Sequence, residues 1–305
     1  MVNFRKHSFH LFRLAGIDVS LHWSWFLVAL YEISARSGSY SSPIWNVLEV
    51  LAFFGIITMH EFGHALACRQ TGGKADHIML WPLGGVAFVN PPPRPGATLW
   101  SIAAGPLVNV ALYPVFLELA IWSRAQGWAL TMPNVYTLVQ TLAFVNIVLL
   151  VFNLLPIYPL DGGQILRSLL WFVLGRARSL GVATVIGFAG VAAMLGFAFW
   201  TKDFWLGLIA IFALMSCWGG LQQARVLSKF AKLPRRPEFA CPTCKSSPPL
   251  GAFWKCSQCQ TRYDTFLTHA VCPHCGAREA MTQCADCGRS SPVGEWSGRT
   301  ILSPG

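Results

Sequence analysis

His60, Glu61 and His64 stand in the order H-E-x-x-H. On a helix this spacing puts both imidazoles on one face, one turn apart, where they can share a metal ion with a carboxylate beside them. Two neutral nitrogens do not complete a catalytic zinc site, which needs a third protein ligand and an open position for water. The motif also lies in an unusual solvent: residues 50–59 before it carry no basic or acidic side chain, and Ala65-Leu66-Ala67-Cys68 continues the apolar run. Ionisable groups are costly within a bilayer, so their presence at that depth points to function.

A second set of ligand chemistry lies near the C-terminal end. Eight of the ten cysteines form four C-x-x-C knuckles, Cys241/Cys244, Cys256/Cys259, Cys272/Cys275 and Cys284/Cys287. Two knuckles supply four thiolates, the complement of one tetrahedral structural zinc, so the region reads as two zinc ribbons. Sequence order suggests that the first two knuckles share one ion and the last two another, with interleaved pairing left open. Disulfides are the competing explanation; the reducing compartment assigned below favours metal. Cys68 and Cys217 fall in apolar spans and read as packing residues.

The elements that must position these residues follow from composition. The chain has 305 residues, 54% hydrophobic and 12% charged, against about 25% charged in soluble domains. This describes an α-helical polytopic membrane protein with a soluble remainder. The net charge of +10 would suit nucleic acid, but membrane proteins concentrate Lys and Arg in cytoplasmic loops. The first fifteen residues have scattered charges and no continuous apolar core, so no cleavable signal peptide is expected.

Six spans of near-bilayer length are expected, at 19–35, 44–68, 98–122, 135–155, 180–200 and 204–221. Arg5, Lys6 and Arg13, then Arg69, Lys74 and Arg94, then Arg167, Arg176 and Arg178, and finally Arg225, Lys229, Lys232, Arg235 and Arg236 fall on one side; Arg36, Arg124 and Lys202 fall on the other. Both termini are therefore expected in the cytoplasm, in a multi-pass protein of the cell (inner) membrane. Between spans two and three, Gly72-Gly73 and Gly84-Gly85 flank a short apolar run, which suggests a membrane-associated β-hairpin. The expected organisation is a membrane-embedded domain at 1–230, a basic linker at 231–240, two ribbons at 241–290 and a flexible tail at 291–305.

With that topology, the third metal ligand can be sought among the acids near membrane depth: Glu32, Glu49, Glu118, Asp161 and Asp203. Glu49 precedes the motif by about three helical turns, and Glu32, Glu118 and Asp203 fall toward the opposite ends of their spans. Asp161 remains. It follows a segment broken by Pro156 and Pro159, and Gly162-Gly163 frees the backbone behind it. A role as cap of the helix that starts near Gln164 is compatible with ligation.

The pair His60-Glu61-Phe62-Gly63-His64 and Asn153-Leu154-Leu155-Pro156-Ile157-Tyr158-Pro159-Leu160-Asp161-Gly162 closely resembles the motifs of the site-2 proteases, intramembrane zinc metalloproteases. Gly16-Ile17-Asp18-Val19-Ser20-Leu21-His22-Trp23, the Gly84-Gly85 hairpin and Ala104-Gly105-Pro106-Leu107-Val108-Asn109 look like further segments of that family. The resemblance covers residues 16–170. It implies that His60, His64 and Asp161 are the zinc ligands, that Glu61 is the catalytic carboxylate, and that Asn153 helps hold the substrate backbone or the developing oxyanion. It also implies regulated intramembrane proteolysis of a membrane-tethered regulator, such as an anti-sigma factor or a transcription factor precursor. No insertion large enough for a PDZ domain is present, and ribbons replace the CBS domains of other members.

The expected reaction is peptide-bond hydrolysis within or beside a transmembrane helix of a protein substrate, which must unwind locally and can add as a strand along residues 82–88. His22, beside two tryptophans, reads as an interfacial packing residue, and Asn109 as a hydrogen bond between helices. The alternative from another class is a non-catalytic membrane adaptor whose ribbons bind a cytoplasmic partner; the intact Glu61 argues against it. In the ribbons, Lys245, Lys255, Arg262, Arg278, Arg289 and Arg299 are dispersed among Asp264, Glu279, Asp286 and Glu295, which favours a protein partner over nucleic acid.

Overall fold

A computed structural model describes residues 8–81 and 84–296. They form two compact units, divided between Pro91 and Pro92, between Arg94 and Pro95, and between Ala224 and Arg225.

The first unit opens with a sheet. Ala15 and Gly16 take φ of 51° and 71°, two left-handed residues whose twist suits a two-residue hairpin. They join β1 (Ser8–Leu14) to β2 (Ile17–His22), with Leu14 opposite Ile17. β2 runs parallel to β3 (Lys74–Trp81), and β3 antiparallel to β4 (Gly84–Asn90), giving the order β1-β2-β3-β4. The expected hairpin is therefore present as β3–β4 within a larger sheet; Pro82 and Leu83 at its tip lie outside the described residues.

The first expected span is corrected by this sheet. Ile17 and Val19 alternate at period two and are fully buried with Ile78 and Leu80 against Trp25, Ile57, Ala65 and Cys68. An apolar tally does not distinguish that alternation from a helix. The helix that follows, α1 (Trp25–Ala35), has 11 residues, about 16 Å of a hydrocarbon core of about 30 Å.

The other five expected spans correspond to helices long and apolar enough to cross a membrane: α2 (Pro43–Gln70), α3 (Pro95–Ala125), α5 (Pro133–Leu154), α6 (Asp161–Thr201) and α7 (Phe204–Ala231). A single turn, α4 (Trp128–Thr131), precedes α5. α2 starts behind Ser42 with Pro43 in its first turn, where a missing amide costs nothing, and ends before Gly72 at φ 83°. α6 is broken at Gly175 (φ 77°, ψ 170°), so the span expected at 180–200 is only its second part. The first part begins at Asp161.

In the second unit, β5 (Trp254–Lys255) pairs with β6 (Arg262–Tyr263), and β7 (Met281–Gln283) with β8 (Ser290–Pro292). Phe266 stacks within 5.0–5.1 Å of Phe239, Trp254 and Trp296, and these rings pack with Cys241, Cys284 and Cys287 into a small core. Two expectations change here. The tail expected from residue 291 begins with a paired strand and a short 3-10 helix, Val293–Trp296, whose Trp296 is fully buried. Residues 297–305 lie outside the described residues.

The basic linker is also part of this fold. Arg235 pairs with Asp286, and Arg236 donates to Asp264 at 2.8 Å. Arg236 N–H bonds the Pro248 carbonyl and Leu250 N–H the Pro234 carbonyl, both at 2.9 Å. Composition reads this segment as a basic linker because the acids that receive these arginines stand about thirty to fifty residues further along the chain.

Candidate metal centre

α2 delivers His60 and His64 one turn apart, both 6% exposed. The α5 end folds back before α6: a side chain at Gly162 would stand 2.3 Å from the Leu154 carbonyl oxygen, so only glycine lets α6 begin so close to the end of α5. This brings Asp161 to the histidines. Its Oδ2 lies 3.0 Å from His60 Nε2 and 3.3 Å from His64 Nε2, and the two Nε2 atoms are 3.1 Å apart.

Three donor atoms on a triangle of 3.0, 3.1 and 3.3 Å match the ligand separations of about 3.3 Å around a tetrahedral zinc with bonds near 2.05 Å. Gly105 keeps the space beside that triangle open. A Cβ there would stand 2.2 Å from His64 Nε2 and 2.7 Å from His60 Nε2. The donor set of two imidazoles and one carboxylate, with room left at Gly105, fits a zinc ion that keeps an open position.

Both rings are held from behind. His64 Nδ1 lies 2.9 Å from the Ser101 carbonyl oxygen and His60 Nδ1 2.6 Å from Asn109 Oδ1, both on α3. Each Nδ1–H donates, which leaves each Nε2 free to ligate. Glu61 is buried beside the triangle, and its Oε2 accepts the Ala87 N–H at 2.9 Å.

The remaining acids go elsewhere. Glu49 pairs with Arg36 at 2.9 Å and receives the Tyr40 hydroxyl, and Asp203 caps α7 through Leu206 N–H at 3.0 Å. Glu118 is exposed and Glu32 half-buried, each on its own helix. Asn153 is half-buried in the last turn of α5, and its side chain makes no hydrogen bond among the described residues. His22 bonds the Ser24 hydroxyl beside the Trp23 ring. Sequence reasoning treated Asn109 as a helix–helix bond and passed over Asn146; a lone asparagine in the otherwise apolar stretch 142–151 was the available signal.

The eight ribbon cysteines gather into two groups, Cys241/Cys244/Cys284/Cys287 and Cys256/Cys259/Cys272/Cys275. The pairing is nested, the outer knuckles together and the inner knuckles together, so the sequential expectation is corrected. The aromatic core packs the first and last knuckles side by side, a long-range contact that chain order does not carry. Sulfur atoms of partner knuckles stand 3.6–3.8 Å apart, close to the edge of about 3.8 Å of a zinc–thiolate tetrahedron and far from a disulfide bond of about 2.05 Å.

The four knuckles share one backbone pattern. The first cysteine's N–H bonds the carbonyl five residues on, and the residue four on returns its N–H to that cysteine's carbonyl. The returning residues Lys245, Gln260, Gly276 and Gly288 all have φ between 60° and 73°. Cys68 and Cys217 are fully buried, as packing residues would be.

The family model described as peptidase family M50 matches residues 48–127 and 125–197. The chain is 34% identical over 222 residues to a zinc metalloprotease of Methanocaldococcus jannaschii, covering 73% of this chain and 62% of that protein. It is 30% identical over 203 residues to the putative zinc metalloprotease Rip3 of Mycobacterium tuberculosis, covering 62% of this chain and 50% of that one. It thus spans between half and two thirds of the length of these curated relatives. The solved structure of a site-2 protease from Methanocaldococcus jannaschii is similar with a TM-score of 0.53 at 32% identity, covering 70% of this chain and 95% of that one. Five long apolar helices in a chain with these relatives describe an integral membrane protein.

Proposed function

Because the chain belongs to peptidase family M50, the site-2 protease family, we propose that it is a zinc metalloendopeptidase that cuts peptide bonds in or beside transmembrane segments of membrane-protein substrates. The observation that carries this reading is the convergence of His60, His64 and Asp161 on one point with Glu61 alongside. His60, His64 and Asp161 hold the ion. Zinc supplies Lewis acidity there, which makes water acidic near neutral pH and polarises a carbonyl.

Glu61 takes the proton of the attacking water and passes it to the leaving amine. Asn153 is assigned to the substrate backbone at the scissile bond. The substrate must expose a carbonyl that its own helix hides, and β4, an edge strand, offers replacement bonds. Ala87 N–H points at Glu61 and hence away from β3. In an antiparallel ladder alternate residues share that direction, so Gly85 presents its main-chain groups on the same free edge.

Both termini are assigned to the cytoplasm by the distribution of Lys and Arg. Each cysteine group is assigned one structural zinc. The role is regulated intramembrane proteolysis, releasing a membrane-tethered regulator. Comparing the membrane proteomes of cells that make the wild-type chain or Glu61→Gln tests it: shortened membrane proteins found only with the wild type support the reading, and identical proteomes oppose it.

A further inference from the structure

Of the 22 residues of α5, Asn146 alone is buried. An otherwise half-buried or exposed apolar helix thus spends its one buried position on a polar side chain. Asn146 touches no candidate ligand. It bonds Asn109 on α3 twice: Asn109 Nδ2 donates to Asn146 Oδ1 at 2.8 Å, and Asn146 Nδ2 donates to the Asn109 main-chain oxygen at 3.0 Å. Both asparagines are fully buried, where an unpaired amide group is costly.

These bonds have one consistent direction. The Asn109 main-chain oxygen only accepts, so it must face the Asn146 amino group. Asn146 then turns its carbonyl toward Asn109, which must answer with its own amino group. That leaves Asn109 Oδ1, an acceptor, 2.6 Å from His60 Nδ1. Turning either amide over would set oxygen against oxygen or N–H against N–H.

We propose that Asn146 is a positioning residue for the metal centre. By locking the Asn109 amide with its oxygen toward the ring, it holds a proton on His60 Nδ1 and keeps Nε2 aimed at the ion. His64 receives the same instruction directly from the Ser101 carbonyl; His60 receives it through two side chains from α5. The inference rests on the reading of His60 as a metal ligand.

The α3–α5 contact contains its own control. Gln140 on α5 donates to the Ala120 carbonyl and the Ser123 hydroxyl, both at 3.1 Å, a half-buried polar link with no path to the histidines. Zinc affinity of the membrane site is measured on the full chain in detergent by chelator competition, with ribbon zinc counted separately. Asn146→Leu is expected to weaken that site about 10- to 100-fold, the usual effect of losing a group that orients a ligand. Asn146→Asp, which as the neutral acid both accepts and donates in the same places, and Gln140→Leu are expected to stay within about threefold.

Equal loss in Asn146→Leu and Gln140→Leu, or no loss in Asn146→Leu, would overturn the proposal. Nitrogen-15 NMR of labelled histidine in the metal-free chain gives a second readout. The His60 Nδ1–H, held by Asn109, should give a resolved and slowly exchanging proton in the wild type and in Asn146→Asp and a broadened one in Asn146→Leu; an unchanged Nδ1–H signal in Asn146→Leu would refute the relay. If His60→Ala leaves zinc content unchanged, the metal reading has failed instead, and the Nδ1–H measurement still decides the relay.

Discussion

Glu61 and Ala87 meet across the gap between α2 and the sheet: the carboxylate accepts the main-chain N–H of β4 at 2.9 Å. The proposed base and the proposed docking edge are therefore in contact, and a strand laid along β4 passes within reach of Glu61. Gly85 shares the outward direction of Ala87, so Gly85→Pro removes an edge N–H and should lower cleavage at least tenfold, since an X-to-Pro change deletes a main-chain donor. Zinc content should not change. Measured together, unchanged cleavage with zinc in place would count against strand addition.

Gly105 fills no space, and that is its contribution. Gly105→Ala places a methyl group where the two Nε2 atoms face the ion, 2.2 Å from one and 2.7 Å from the other. Zinc per chain, read by plasma mass spectrometry, should fall by one ion while both cysteine groups keep theirs. Full zinc occupancy in the variant would show that the rings do not ligate from these positions.

Nested knuckles give the ribbons a definite cross-linking pattern. After zinc is stripped and the protein mildly oxidised, Cys244 should join Cys284 and Cys259 should join Cys272, pairs now 3.7 and 3.6 Å apart. Peptide mapping that instead finds Cys244 joined to Cys256 would restore the sequential pairing.

Asp264 ties the basic segment to the ribbons. Burial raises its pKa, but the Arg236 guanidinium and the N–H groups of Gly251 and Leu267 outweigh this and hold it below the usual carboxylate value. A depressed carboxylate stabilises the fold above its unfolded pKa and loses that contribution as pH falls through its folded value. Asp264→Asn should therefore cost about 2 kcal/mol near neutrality, in line with hydrogen bonds to charged groups. The difference from wild type should shrink as pH falls below about 4, and a difference that is constant with pH in thermal melts would be inconsistent with the ion pair.

Local chemistry was legible in the sequence, and long-range pairing was not. H-E-x-x-H announces its own geometry because one helical turn sets it. Asp161 was reachable because two prolines and two glycines mark a break at the right depth. Val19 and Leu21 looked like part of a helix because strand alternation over so few residues hides in an apolar run. Which knuckles pair, that Asn109 faces His60, and that Arg235 and Arg236 find acids far along the chain depend on contacts between distant segments, which no spacing rule encodes.

The most direct measurement of the central claim follows oxygen from water into new chain ends. Membranes containing the wild-type chain or Glu61→Gln, matched for zinc content, are incubated in water enriched in oxygen-18, and C-termini are sequenced by mass spectrometry. Hydrolysis with Glu61 as base predicts labelled C-termini within or beside transmembrane segments in the wild-type sample and at least about a thousandfold fewer in Glu61→Gln. Equal labelling in the two samples would contradict the assignment of Glu61 and with it the proposed mechanism.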